Sequence, residues 1–384
     1  MKNINKKSLC LAVVGALASA NLLADTEFSY SGYIKMDTMI SDYSDGESNP
    51  LNRDFYVPSL IPVSDGSASS SGKEWDMHAR QSRIIFGTKT NLDNGSTIGT
   101  RVEMDFQVTS GGDERISNSY SPRIRQAYFT YDNLLFGQAW TTFMNLSALP
   151  ESLDFIGNTD GTVFARQTQI RYTNGGFQFA VENPETTISN YQVGGRVVTD
   201  DNAMPDLVFR YNWKGDWGGL SAAIITRQLE CNDATTGCDS TESSIGLSFG
   251  GKVNVGDKND VRFVVNSGSG IGRYIGLNIV NDGVFNASGE IEAIDITAYS
   301  VAYRHQWNDQ WRSNIIYAGF EADNDVTLTG LGATESTNSF RINLLHSPTK
   351  NLTFGIELAH AERETEAGFG GDMDRLQFSA KYAF

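Results

Sequence analysis

Sixteen stretches of this chain alternate apolar and polar residues at every second position, and the connections between them alternate too, short then long. The stretches are 27–42, 78–91, 96–108, 122–132, 133–140, 165–173, 176–183, 205–214, 218–230, 240–255, 258–268, 291–307, 310–321, 337–347, 350–363 and 373–384. Successive strand side chains point to opposite faces, so each stretch has a dry face and a wet one. Seven connections are turn-like, at 92–95, 131–133, 174–176, 214–219, 256–259, 308–310 and 347–350. The eight between them are longer: 43–77, 109–121, 141–164, 184–204, 231–239, 269–290, 322–336 and 364–372. A soluble sandwich has no reason to put every long connection on one side. A membrane barrel has turns at its periplasmic end and loops at the other. The pattern predicts an all-β chain folded as a transmembrane antiparallel β-barrel of about sixteen strands.

Both chain ends fit that reading. Leu376, Phe378, Ala380, Tyr382 and Phe384 share one face of the last stretch, with Arg375, Gln377, Ser379 and Lys381 on the other. A terminal Phe on such a strand looks like the assembly signal of an outer-membrane barrel. At the other end, Lys2, Lys6 and Lys7 precede a short apolar run and Ala18-Ser19-Ala20, the three parts of a secretory signal peptide. Cleavage could follow Ala20 or Ala24, so residues 1–24 are expected as signal peptide and 25–384 as barrel, placed in a Gram-negative outer membrane. No later run reaches the roughly 18 apolar residues of a membrane helix. Trp213 and Trp217 bracket one short turn and Trp307 and Trp311 another, as an aromatic girdle would.

Charge and motifs exclude several functions. The formal net charge is −16, and removing the three leader lysines makes it −19. Such acidity opposes phosphate neutralisation, so nucleic acid is not an expected partner. Gly246-Leu247-Ser248-Phe249-Gly250 fits a hydrolase pattern, but its serine lies mid-strand where the chemistry needs a strand-to-helix elbow. Gly268-Ser269-Gly270-Ile271-Gly272 has no helix after it and reads as a loop. His305, His346 and His360 are placed at the outer rims, and His78 has no Cys or second His near it. No enzyme, metal or cofactor is expected. Cys231 and Cys238 bound one loop and are expected to form a disulfide after export.

Arginine carries the functional signal. The mature chain has 19 Arg against 8 Lys. Arg101, Arg123, Arg125, Arg171, Arg210, Arg262, Arg312 and Arg341 recur on the wet face, flanked by Arg80, Arg83 and Arg166. A guanidinium pairs bidentately with carboxylate, so the set suits passage of small anions. It suits wall-stiffening pairs with Glu103, Asp105, Glu182 and Asp295 as well. Arg101, Arg123 and Arg125 can converge on one solute; Glu103 and Asp105 oppose them, but are expected farther along their strand, toward the outer mouth, so that the arginines prevail. The third long connection, 141–164, is partly apolar through Phe143, Met144, Leu146, Leu149, Leu153, Phe155 and Ile156. Folded inward, it would narrow the channel and set Glu151 and Asp154 against the arginines, giving a transverse field. Packing on a neighbouring protomer is the other reading.

Several segments resemble the DcaP-like porins of Gram-negative outer membranes: Gly32-Tyr33-Ile34-Lys35-Met36-Asp37, residues 78–83, 118–157 and 166–173, Val181-Glu182-Asn183-Pro184-Glu185-Thr186, and Gly272-Arg273-Tyr274-Ile275-Gly276-Leu277-Asn278. The resemblance implies a homotrimeric sixteen-stranded porin embedded in outer-membrane lipid that passes small anions, dicarboxylates especially. Members of that family carry a helical extension before the barrel. Here the first strand follows the expected cleavage site closely, leaving trimerisation to the barrel walls. A non-selective porin and a plugged barrel with a structural or adhesive role are the competing functions.

Overall fold

A computed structural model of the chain describes residues 26–70, 72–108, 116–200, 202–233 and 238–384, without the side chains of Asp233 and Cys238. The expected signal peptide lies outside the described residues. The strands are β1 (Thr26–Tyr43), β2 (Glu74–His78), β3 (Arg83–Asn91), β4 (Thr97–Asp105), β5 (Arg123–Tyr131), β6 (Leu134–Trp140), β7 (Arg166–Asn174), β8 (Phe177–Glu182), β9 (Thr186–Asn190), β10 (Gly194–Thr199) and β11 (Asp206–Gly215). They continue as β12 (Gly218–Asp233), β13 (Cys238–Val255), β14 (Asn259–Ser269), β15 (Gly283–Phe285), β16 (Ile291–Ala293), β17 (Asp295–Gln306), β18 (Trp311–Asp323), β19 (Thr334–Thr349), β20 (Leu352–Thr365) and β21 (Gly370–Ala383).

Seventeen of these strands form one sheet, and it closes on itself. β1 pairs with β21 from Tyr33↔Ala383 to Tyr43↔Met373. On its other edge β1 meets β3 through its first half and β2 through its second, so β2 and β3 are two pieces of one barrel strand. The count is therefore sixteen, as the sequence predicts. The break between the pieces is a turn in which Ser82 N donates to Ala79 O, and Ser82 Oγ takes over the backbone amide of Lys35 at 3.1 Å. A side chain thus replaces a ladder bond, which an apolar environment requires.

The alternation is inverted relative to a soluble protein. Val102, Phe129, Ile170, Phe209, Leu247, Ile315 and Leu358 stand exposed on the outer face, while Lys35, Glu103, Asp105, Asn266, Arg341 and Gln377 are buried inside. Each outward Leu, Ile or Phe gains roughly 1.5–3 kcal/mol when lipid replaces water around it. Outward rings also pair across strands: Phe129 lies 5.1 Å from Phe136, and Phe179 4.8 Å from Phe209. All four turn-flanking tryptophans are exposed.

The long connections depart from a simple outer fringe. The expected loop at 231–239 is mostly ladder, because β12 and β13 stay paired down to Asp233↔Cys238. Cys231 is buried and disulfide-bonded. β9, β10, β15 and β16, from two different loops, form a separate four-stranded sheet. A buried apolar cluster joins residues of the loops, including Phe143, Ile271, Tyr274, Ile275 and Ile279, to inward residues of the wall such as Ala180, Val208, Ile225 and Phe320.

Loop 3 (141–164) runs along the inner wall. Asn145 Nδ2 donates to Ser221 Oγ at 2.7 Å, Ser152 Oγ to Glu357 Oε1 at 2.8 Å, and Asn158 Nδ2 to Ser300 Oγ at 2.8 Å. Two glycines make the close approach feasible. A Cβ on Gly161 would sit 2.0 Å from Tyr299 O, and one on Gly355 2.6 Å from Leu153 Cδ2. Since the Gly161 clash is with backbone, Gly161→Ala should lift loop 3 off β17 while the barrel still folds. Planar-bilayer recording should show larger conductance steps for G161A, with heat-modifiable mobility on gels unchanged.

Candidate substrate pathway

An arginine cluster forms where β3, β4 and β5 meet. Strict alternation would put Arg125 inward and Gln126 outward. A β-bulge shifts the register between Glu103 and Met104, so Arg125 and Gln126 both reach Glu103 while Ile124 faces out. Arg125 donates to Glu103 Oε1 and Asp105 Oδ2, each at 2.8 Å, and is 2% exposed. Arg123 grips Asp105 with two bonds, at 2.9 and 3.0 Å. Arg101 donates to Glu103 Oε2 at 2.8 Å, and Arg83 Nη1 lies 3.3 Å from Glu103 Oε1.

The acids therefore do not stand apart toward the mouth, as the sequence suggested. Asp105 lies directly across from Arg123 in the ladder. Four arginines share two carboxylates among the described residues, which leaves a positive surplus.

Arg166 adds to it. It lies opposite Trp140 in the β6–β7 ladder, with its guanidinium 4.8 Å from the Trp140 ring and 5.7 Å from that of Phe164. Its Nη1 is buried without a hydrogen-bond partner. Arg125 stands over Trp140 too, at 5.4 Å, and over Phe155 of loop 3 at 5.2 Å. Phe155 in turn packs on Phe55 of the first long connection, 5.2 Å away. Cations and rings thus form one continuous group, with cation–π attraction offsetting the burial of guanidinium groups.

The other arginines have different work. Arg80 pairs with Asp54 at 2.7 Å, on the helix α1 (Pro50–Asp54). Arg210, Arg262, Arg312 and Arg341 are anchors for loop 3. They donate to Met144 O, to Leu149 O at 2.5 Å, to the Glu151 carboxylate, and to Gly157 O at 2.6 Å. Four strands around the wall each hold a successive point of the loop. Arg171 makes no hydrogen bond or ion pair among the described residues. Glu182 is buried and accepts from Thr142 N at 2.7 Å, while Asp295 lies on the outer face, away from the arginines.

Glu151 and Asp154 do not stand free across a gap. Asp154 is buried, accepting from Tyr56 N at 2.8 Å and from Ile156 N and Gly157 N at 3.1 Å. Burial alone would push both carboxyls up. Arg312 overrides it at Glu151, and Arg341 and Arg375 at Asp154, so both sit below the ordinary range. Asp160, near them, goes the other way, raised by burial despite hydroxyl donors on Ser339, Thr337 and Tyr56.

Sequence reasoning missed Lys35, Lys381 and the rings of Tyr33, Trp140 and Phe164. Lys35 Nζ donates to Leu153 O at 2.5 Å and lies 3.0 Å from Asp37, and Lys381 Nζ lies 5.5 Å from the Tyr33 ring. It missed the buried Arg227 as well, which pairs with Asp206 at 3.1 Å and Asp282 at 2.9 Å. A lysine or ring in an alternating stretch carries no mark of which loop will meet it. On the outer surface, His360, Glu362 and Asp372 come within 4.8 Å of one another, an exposed grouping that acids make without a metal.

A closed antiparallel barrel with a lipid-facing apolar skin and a polar, charged interior is an outer-membrane porin. The profile of the DcaP outer membrane protein family matches residues 19–384, and the chain belongs to that family. Among curated protein sequences, none matches it. Solved structures show the same fold. The DcaP channel of Acinetobacter baumannii superposes with a TM-score of 0.77 at 23% identity, over 94% of this chain and 98% of that one. An anion-selective porin from Comamonas acidovorans gives 0.58 at 11%, over 94% and 100%. The trimer form of OmpT from Vibrio cholerae gives 0.54 at 12%, again over 94% and 100%.

The lowered Glu151 and Asp154 fix a pH window for loop docking. Their contribution is complete above the unfolded values of about 3.9–4.3 and is lost only as pH falls through the lower native ones. Conductance should hold steady from about pH 7 to pH 5 and change below about pH 4. A change already complete at about pH 5.5 would point to the raised Asp160 of the same loop and not to these two carboxyls.

Proposed function

We propose that this porin is a passive diffusion channel for small anions, carboxylates above all, and that the arginine cluster sets its preference. One observation carries the reading: among the described residues Arg83, Arg101, Arg123 and Arg125 pair with two carboxylates, Glu103 and Asp105, and Arg166 makes no ion pair of its own. A charge surplus beside a low-dielectric wall acts more strongly than on an open surface. The name of the Comamonas acidovorans porin, anion-selective, belongs to a protein of the same fold and supports the same direction. A dicarboxylate suits the cluster, since Arg83 and Arg166 each keep a buried nitrogen without a hydrogen-bond partner among the described residues and can each take one end. A homotrimer through the barrel walls completes the proposal, in line with the trimer form of Vibrio cholerae OmpT.

The apolar cluster inside the barrel favours a second reading, a plugged structural barrel. Planar-bilayer recording separates the two, because a plugged barrel gives no conductance steps. Arg125 is a poor choice for mutation, since it is buried and bridges Glu103 and Asp105, so its loss would disturb the packing as well as the charge. Arg166, which makes no ion pair among the described residues, is the better one. Arg166→Glu should lower the anion-to-cation permeability ratio by roughly threefold, read from reversal potentials in a salt gradient. An unchanged ratio would remove the main physical support for anion selectivity.

A further inference from the structure

A cavity of about 640 Å³ lies between loop 3 and the periplasmic ends of β7, β8, β11, β12 and β13. Its lining includes Arg171, Arg210, Lys214 and Lys252, and not one Asp or Glu. The whole chain carries 46 acids against 30 Lys and Arg, so this composition runs against the protein's own bias.

The ladder explains how the cations gather. Arg171 lies across from Ala180, and Gln178, on the same face of β8, lies across from Arg210. The two guanidinium groups therefore flank Gln178 from opposite sides. Lys214 follows four residues after Arg210, on the same face of β11. Two acids lie near these cations: Glu182 acts on Arg171 from a distance and keeps one buried carboxylate oxygen unpartnered among the described residues, while Asp260 is held by other cations. Glu182 accepts from Thr142 N at 2.7 Å, and Asp260 lies within 2.8 Å of Arg262 and of Arg304, and 3.6 Å from Lys252. Arg210 is partly occupied, donating to Asn212 Oδ1 at 2.8 Å and to Met144 O. Arg171 and Lys214 make no hydrogen bond or ion pair among the described residues. Trp140 joins the cavity to the arginine cluster, because it lines the cavity while Arg125 and Arg166 stand against its ring.

We propose that this cavity is a second anion-binding station, holding a small carboxylate between the arginine cluster and the periplasm. The proposal rests on the anion-channel reading and adds a distinct site to it. Two stations in series let a solute leave the first for a second of the same sign, so neither has to bind tightly. The cavity is large enough for a small organic anion with part of its hydration shell.

Arg171→Gln combined with Lys214→Gln removes two charges and no hydrogen bond among the described residues. The probe is succinate, added to planar bilayers holding the wild-type or the double variant, with block read from current fluctuations. Wild-type channels should favour anions and show succinate block. In the double variant the succinate dwell time should fall on the order of tenfold, while the reversal potential keeps most of its anion preference. Arg171→Lys should retain most of the dwell time, because charge and not a specific hydrogen bond holds the solute. Wild-type channels without anion preference would overturn the anion-channel reading, and this proposal with it. Anion-preferring wild-type channels whose succinate dwell time is the same in the folded double variant would overturn the second station alone.

Discussion

Hydrocarbon offers no hydrogen bonds, and everything else in this protein follows from that. Each backbone N–H and C=O in the membrane must find its partner within the sheet, so the sheet has to close. The β1–β21 seam closes it. Closure fixes which face meets lipid and sends most polar residues of the mid-strand segments inward. The interior then holds more charged groups than a soluble core would tolerate, and they must be paired, wetted or put to use. Glu103 illustrates the solution, with three arginines and Gln126 gathered on one carboxylate.

Strand periodicity made the barrel legible in the sequence. Outward Leu376, Phe378 and Tyr382 fell where alternation put them, as did the tryptophans at the turns. Alternation failed where the ladder is irregular. Nothing around Arg125-Gln126 announces a bulge, and the turn that divides β2 from β3 was read as continuous strand. Ile291 to Ala293 looked like the start of a barrel strand and instead completes the small loop sheet. Short-range patterns cannot report a partner that comes from another loop.

The arginines show the limit most clearly. Arg101, Arg210, Arg262 and Arg341 look alike in sequence, each set between apolar neighbours. In the fold, Arg101 joins the surplus at Glu103, while the other three hold backbone carbonyls of loop 3. What divides them is distance from the loop's path, a property of tertiary structure. Arg262 and Arg341 also pair with Asp260 and Glu357, so of these three only Arg210 is a strut without an ion pair among the described residues.

The seats of loop 3 have a consequence for how the barrel is made. Most neighbouring strands are joined by hairpins and can pair locally, but Ser152 meets Glu357 across 205 residues, and Asp160 meets Ser339 across 179. Contacts so distant along the chain form late, after nearer ones have shortened the path between them. The loop's early residues can meet β11, β12 and β14 sooner, but Glu151, Ser152 and Asp160 wait for partners in β18 to β20. Assembly therefore builds most of the cylinder before its furnishing is complete. A chain halted before its seam closes would have a skin ready for lipid and a bore still too wide to discriminate among solutes.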